Sequence, residues 1–211
     1  MIVNNFNLIK DFLEFEEGNF YFLQILRRRK DNPDNPDIPN GSNNNYRTIK
    51  SYFINSKEYL EQIEDEVIKL CNLFNARAYI GLNKRNYERV AFENLKEVSD
   101  LIYQKQFHKV YKSYNSCAGY YSHGDKLWII DIDIKDLSFV EEVKQEINKC
   151  DSKYDDNIVT VIPTLNGYHI ITRPFNIKQF QPAINSYSHI TDIEIHKNNP
   201  TLLYYEQPNI H

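Results

Sequence analysis

The chain alternates between two hydrophobic periods, and the points where the period changes mark out strands and helices. Asn19–Lys30, NFYFLQILRRRK, is apolar, β-favouring and basic at its end, and predicts a strand. RTIKSYFI, residues 47–54, predicts a second strand. Between them lies DNPDNPDIPNGSNNNY, residues 31–46, whose Pro, Asn, Asp and Gly predict an inserted loop. Ser56 is a good N-cap, and Leu60, Ile63, Val67, Leu70 and Phe74 follow it at helical spacing. RAYIGL, 77–82, predicts a short strand. A second helix follows from about Asn86, with Ala91, Leu95, Val98 and Ile102 on one face. Residues 105–122 read as irregular and Tyr-rich, with a bend at Gly119.

The second half is more regular. KLWIIDIDI, 126–134, is the clearest strand in the chain. Ser138-Phe-Val-Glu141 matches a capping box and predicts a helix that buries Val140, Val143 and Ile147. NIVTVIPT and YHIITRPF flank Leu165-Asn166-Gly167, and Asn-Gly is a strong hairpin signal. A short helix or turn spans roughly 176–187, and TDIEIH and TLLYYE flank KNNP as a second hairpin. The order β-β-α-β-α, then β-α-β-β-(α)-β-β, predicts an α+β or mixed α/β fold rather than a doubly wound parallel sheet. It is read as one domain over 1–211, with an N-terminal α/β module in 1–105 and a motif-bearing sheet module in 106–211.

Composition narrows the classes. With 211 residues, 41% of them hydrophobic, the chain can form a substantial core. No apolar run is long enough to span a bilayer, which predicts no membrane partner. The N-terminus carries acids early and lacks a small-residue cleavage site, so it does not read as a signal peptide. Cys71, Cys117 and Cys150 are too few and too scattered for a disulfide framework or a zinc ribbon, and read as reduced thiols of a cytoplasmic protein. The net charge of −4 argues against a protein that coats nucleic acid nonspecifically. It is compatible with a polymerase-like enzyme, whose metal-binding acids offset nearby bases.

Three strands carry candidate chemistry. In WIIDIDI, Trp128, Ile130, Ile132 and Ile134 share one face, and Asp131 and Asp133 the other. Aspartate is disfavoured in strands, and two on one face repel each other. A divalent cation removes that cost, and hard carboxylate oxygens suit Mg²⁺ or Mn²⁺. The competing reading is the solvated face of an edge strand. In the strand after Asn166-Gly167, His169 and Arg173 share a face, and both can donate to phosphate. In Asp192-Ile-Glu194-Ile-His196 the polar residues again share a face, as a further carboxylate source or simply an amphipathic edge. Upstream, Arg77, Tyr79, Asn83, Lys84 and Arg85 are candidate template or nucleotide contacts, and the run Arg27-Arg28-Arg29-Lys30 is the best candidate for a nucleic-acid backbone contact. As a charge run it is more often simply solvated.

Taken in order, these segments resemble the archaeo-eukaryotic primase superfamily, which includes primase-polymerases. The resemblance lies in Asp-x-Asp on an apolar strand (Ile129–Asp133), Gly-x-His (Gly167–His169), and an apolar residue before an acid (Ile193-Glu194, or less well Thr191-Asp192). It covers residues 126–205, and its specificity lies in the ordered set. It implies a minimal catalytic core in which Asp131, Asp133 and Glu194 (or Asp192) hold Mg²⁺ or Mn²⁺. His169, with Arg173, would contact the incoming triphosphate. It also implies an N-terminal α/β module beside a C-terminal module with an RNA-recognition-like sheet. The expected partners are nucleoside triphosphates, a DNA or RNA template, and a separate helicase or replication protein. The compact length and the Asn, Lys, Tyr and Ile bias fit a phage or mobile-element origin. Two other functions use the same residues: a catalytically altered module that binds nucleic acid or a replication partner, and a metal-dependent nuclease.

Overall fold

The computed structural model describes residues 1–33, 45–124 and 126–208. Most of the loop predicted at 31–46 therefore lies outside the described residues. The first half contains β1 (Ile2–Asn4), α1 (Phe6–Phe12), β2 (Asn19–Arg28), β3 (Tyr46–Ile54), α2 (Lys57–Phe74), β4 (Arg77–Gly81), β5 (Arg85–Asn86) and α3 (Tyr87–Tyr103). Two short helices follow, α4 (Phe107–Val110) and α5 (Ser113–Tyr120). Then come β6 (Trp128–Ile132), α6 (Leu137–Asn148), β7 (Ile158–Pro163), β8 (Tyr168–Thr172), α7 (Ile177–Tyr187), β9 (Ile193–His196) and β10 (Pro200–Glu206). This is a mixed α+β fold with two antiparallel sheets.

The first sheet has the order β1-β10-β4-β2-β3, with β5 paired to one end of β2. The second has the order β7-β8-β6-β9. Its elements run β6-α6-β7-β8-α7-β9, so each helix lies between strands that are not neighbours in the sheet, as in a split βαβ unit. Strand alternation decides what each face buries. Trp128, Ile130, Ile132 and Ile134 face α6 and α7, in one cluster with Val140, Val143, Ile147, Ile170, Phe180 and Ile193. The opposite face places Ile129, Ile162 and Ile171 in the large cluster built on the first sheet, with Leu23, Ile25, Ile80 and Leu203. The acid-bearing face of β6 is thus an inter-sheet face, and its deep end is dry.

Several predicted elements sit differently in the fold. TDIEIH and TLLYYE do not form a hairpin: β9 pairs with β6 in one sheet, and β10 pairs with β1 and β4 in the other. The chain changes sheets at Lys197–Asn199, where Lys197 O and Asn198 Oδ1 both accept from the buried Asn83 side chain. Because β10 returns to the first sheet and α5 packs on α3, a boundary at residue 105 does not separate the two sheets. Residues 105–122 are largely helical, and Gly119 lies inside α5 rather than at a bend. The buried positions of α3 are Val90 and Leu101, while Leu95 and Ile102 face solvent. The N-cap of α6 is Asp136, which accepts from the Ser138 and Phe139 amides, so Ser138 is a first-turn residue. Aspartate is as good a cap as serine, and it comes first in the chain. The caps at Ser56 and Asn86 are where the sequence places them. Cys71, Cys117 and Cys150 are free and buried. Among the described residues, no helix is long and apolar enough to cross a membrane.

Candidate active site

Antiparallel register fixes which side chains meet across the second sheet. Asp131 in the central strand β6 lies directly opposite His169 on β8 and Glu194 on β9. All three point to the inter-sheet side, because their neighbours Ile130, Ile132, Ile170, Ile193 and Ile195 point to the helices. The His169 Nε2 atom is 3.3 Å from Asp131 Oδ1. His196 Nε2 is 3.9 Å from Asp131 Oδ2 and 3.2 Å from Glu194 Oε2, so it stands between the two carboxylates. Burial opposes charging of Asp131. The His169 hydrogen bond and the charges of His169 and His196 outweigh it, and hold the Asp131 pKa below the usual carboxylate range.

His169 is fixed from its other side as well. Its Nδ1 atom is 2.8 Å from Thr201 Oγ1, on the sheet-switching strand β10, and Thr201 is fully buried. A ring held at both nitrogens has one orientation, with Nε2 fixed beside the Asp131 carboxylate. The turn before it is equally constrained. Thr164 N donates to Gly167 O, and Gly167 N donates to Thr164 Oγ1. A methyl group on Gly167 would overlap the Ile132 carbonyl oxygen and lie 2.7 Å from the Ile134 nitrogen. Only glycine lets the turn rest on the backbone that carries Asp133. Asn5 anchors the far end of β7 to β10, donating to Pro163 O at 2.9 Å and to Leu202 O at 2.8 Å.

These residues open into a cleft of about 320 Å³ between the sheets. Asp131, Asp133, His169, His196 and the Thr164–Asn166 turn line one wall. Arg28, Lys30, Arg77 and Tyr79 line the other, with Asn199 and Pro200 at the corner. Two acids therefore face Arg28 and Lys30 across a polar cleft, with the third base, Arg77, held by Asp31, an arrangement that can hold an anion together with a cation.

Not every residue singled out from the sequence reaches this cleft. Arg173 shares the face of His169 but lies four positions along, about 13 Å at strand rise. The buried Ile171 separates the two. Arg173 donates instead to Asp156 O and lines a different cleft with Glu14, Glu16 and Lys84. Asp192 is exposed and precedes β9, while Glu194 lies within it, 68% exposed, and joins the site through His196. Arg85 is 2% exposed, and its guanidinium is spent on the carbonyls of Asn83, Ala118 and Gly119, so it is not available to nucleic acid. Burial lowers its pKa to about 10. Arg77 lines the cleft but is held in a buried bidentate pair by Asp31, at 2.7 and 2.5 Å. Asn83 is structural too, bonded to both amide and carbonyl of Leu127, and Lys84 pairs with Glu16. Of the basic run, Arg28 faces the cleft and donates to the Tyr79 hydroxyl, whereas Arg27 donates to Asn32.

His196 and Thr201 are the site residues that sequence reasoning did not assign. His196 carried a signal, since it shares the face of Glu194 two positions on. Thr201 carried none, because its place depends on β10 leaving one sheet for the other.

Among the described residues, no three His, Cys, Asp and Glu side chains are already gathered around one point as a metal site. The donors present nevertheless fit a hydrated Mg²⁺ or Mn²⁺. Asp131 and Asp133 offer hard oxygens on one polar wall, and such ions keep water and phosphate oxygens in their remaining positions. No family model matches the chain, and no curated protein or solved structure is significantly similar to it.

Proposed function

We propose that the chain is a minimal nucleotidyltransferase core of the primase-polymerase type, adding nucleotides to a primer on a DNA or RNA template with Mg²⁺ or Mn²⁺. The observation that carries this reading is the row His169–Asp131–Glu194 across three adjacent strands, of which His169 and Asp131 line a cleft whose opposite wall is basic. The split βαβ order of the second sheet is in keeping with the RNA-recognition-like module that the sequence resemblance implies.

In this reading Asp131 and Asp133 hold the metal, with Glu194 as the third carboxylate at the edge of the site. When bound, the ion supplies charge neutralisation of the triphosphate and activation of the primer hydroxyl. The chain's own groups do the rest. Thr201 fixes the His169 ring, and His169 Nε2, which faces Asp131 at 3.3 Å, would turn its hydrogen bond to a phosphate oxygen when a metal takes over that carboxylate. Arg28 and Lys30 offset the remaining negative charge from the other wall. His196 stands between Asp131 and Glu194, with Nε2 at 3.9 and 3.2 Å from their carboxylates.

Thermal denaturation tests the reading. Mn²⁺ and a nucleoside triphosphate added together stabilise the protein more than the sum of each alone, because the carboxylates and the phosphates share one ion. At roughly a hundred times its Kd a ligand contributes about 2.7 kcal/mol, which for a chain of this size is about 5–10 °C in Tm. No shift with either component, alone or combined, counts against a nucleotide site.

A further inference from the structure

The segment between the two sheets is unlike the rest of the chain. Residues 101–124 contain no Asp or Glu, in a protein of net charge −4, and they contain Lys105, Lys109 and Lys112. Three large aromatic side chains stand in solvent among these lysines: Tyr103 at 89%, Phe107 at 62% and Tyr111 at 75% exposure. Lys105, His108, Lys109 and Lys112 are exposed with them. The backbone brings the group together. Lys105 adopts the left-handed conformation at φ 59°, Gln106 N donates back to Leu101 O, and α4 folds against α3. Lys112 Nζ lies 5.0 Å from the centre of the Tyr111 ring.

Exposed aromatics lose the burial that would normally stabilise them, so a cluster of them marks a surface meant to be covered. The neighbouring stripe on α3, Phe92, Leu95 and Ile102, is interleaved with Glu93, Glu97 and Asp100 and would repel a polyanion. The Tyr103–Lys112 patch has the opposite character. Flat rings separated by ammonium groups are the requirements of a single-stranded nucleic acid, whose bases stack while its phosphates pair with cations.

We propose that Tyr103, Phe107 and Tyr111, with Lys105, Lys109 and Lys112, form a stacking platform for single-stranded nucleic acid outside the cleft. The proposal rests on the reading above for its class of partner. The fold also connects it to the cleft. From Lys112, α5 runs to Tyr120, whose carbonyl accepts from Asn198 at 3.0 Å, and the next two residues, Asn199 and Pro200, line the cleft. α5 thus joins the platform to the corner of the cleft.

Fluorescence anisotropy with labelled dT and U homopolymers, and a labelled duplex, tests this. The wild-type chain binds the single strands in preference to the duplex, whose bases are already stacked. Tyr103→Ala, Phe107→Ala and Tyr111→Ala each weaken binding by about 5- to 100-fold. Lys105→Gln, Lys109→Gln and Lys112→Gln each make the dependence of log K on log salt shallower by about 0.7. All six side chains are exposed, so the variants keep the wild-type Tm, and the lysine series stands even if an aromatic variant folds poorly. The proposal is overturned if the wild type binds no single strand, if duplex binds as tightly, or if the combined aromatic variant binds like wild type. Its failure is separable from that of the active-site reading. A Mn²⁺–triphosphate shift retained without strand binding sinks the platform alone, and strand binding retained without the shift sinks the cleft alone.

Discussion

Asp131→Asn lowers nucleotide incorporation by about a hundredfold or more, because a metal-held charge is worth several kcal/mol to the transition state and each ~1.4 kcal/mol is a factor of ten in rate. The substitution is chosen for what it leaves intact. Asparagine has the shape of aspartate, and its Oδ1 still accepts from His169 Nε2, 3.3 Å away in the native protein. The native carboxylate is opposed by burial and supported by His169 and His196, so neutralising it removes both a penalty and a gain. The net change in folding stability is therefore small, about 1 kcal/mol. Asp192→Asn is the matched control. Asp192 is exposed and lies outside β9, so activity and Tm both stay at wild-type values. Primer-extension rates with Mn²⁺, set beside melts of the same preparations, separate the two variants. Equal loss in both would move the third carboxylate from Glu194 to Asp192 or dissolve the site altogether.

The second large effect is at Gly167, where Ala is a structural substitution with a functional result. The added methyl would meet the Ile132 carbonyl oxygen and the backbone of Ile134, neither of which can rotate away as a side chain can. Either the Thr164–Gly167 turn lifts off, or the segment after β6 bends. The first breaks the Thr164–Gly167 pairing, and the second shifts Asp133 relative to Asp131. Gly167→Ala therefore costs about 3 kcal/mol or more in urea denaturation, the upper end for a single change. It also abolishes the Mn²⁺–triphosphate shift even where the protein remains folded. A loss below about 1 kcal/mol would mean that the turn does not rest on that backbone.

The parts of this architecture written in the sequence are those governed by local periodicity. Alternation in WIIDIDI separates Trp128, Ile130, Ile132 and Ile134 from Asp131, and the structure buries Ile130 and Ile132 against α6 and α7 with Trp128 and Ile134 half-buried beside them. The helix starts at Ser56 and Asn86 follow from chemistry within four residues. The Asn166-Gly167 hairpin is where the sequence places it, but Gly167 is required by its approach to the Ile132 backbone and not by a positive φ. What could not be read depends on partners far away in the chain. KNNP looks like a hairpin turn, yet it is a corner between sheets, held by Asn83 from more than a hundred positions earlier. The same blindness hid Thr201. Arg173 has the right face and the wrong distance, because parity along a strand says nothing about how far apart two residues lie. Arg85 and Arg77 looked like surface cations. Burial among carbonyls for one and against Asp31 for the other makes them structural. The apolar stripe of α3 misled in the other direction: Leu95 and Ile102 have helical spacing but face solvent.

The central claim is that the Asp131 cleft joins nucleotides to a primer. Extension of an end-labelled primer on a template, with Mg²⁺ or Mn²⁺ and triphosphates, tests it most directly. The account predicts longer products that require both metal and triphosphate, disappear with chelator and are lost in Asp131→Asn. Primer that stays unextended in both metals, or labelled strand that shortens without triphosphate, would contradict it.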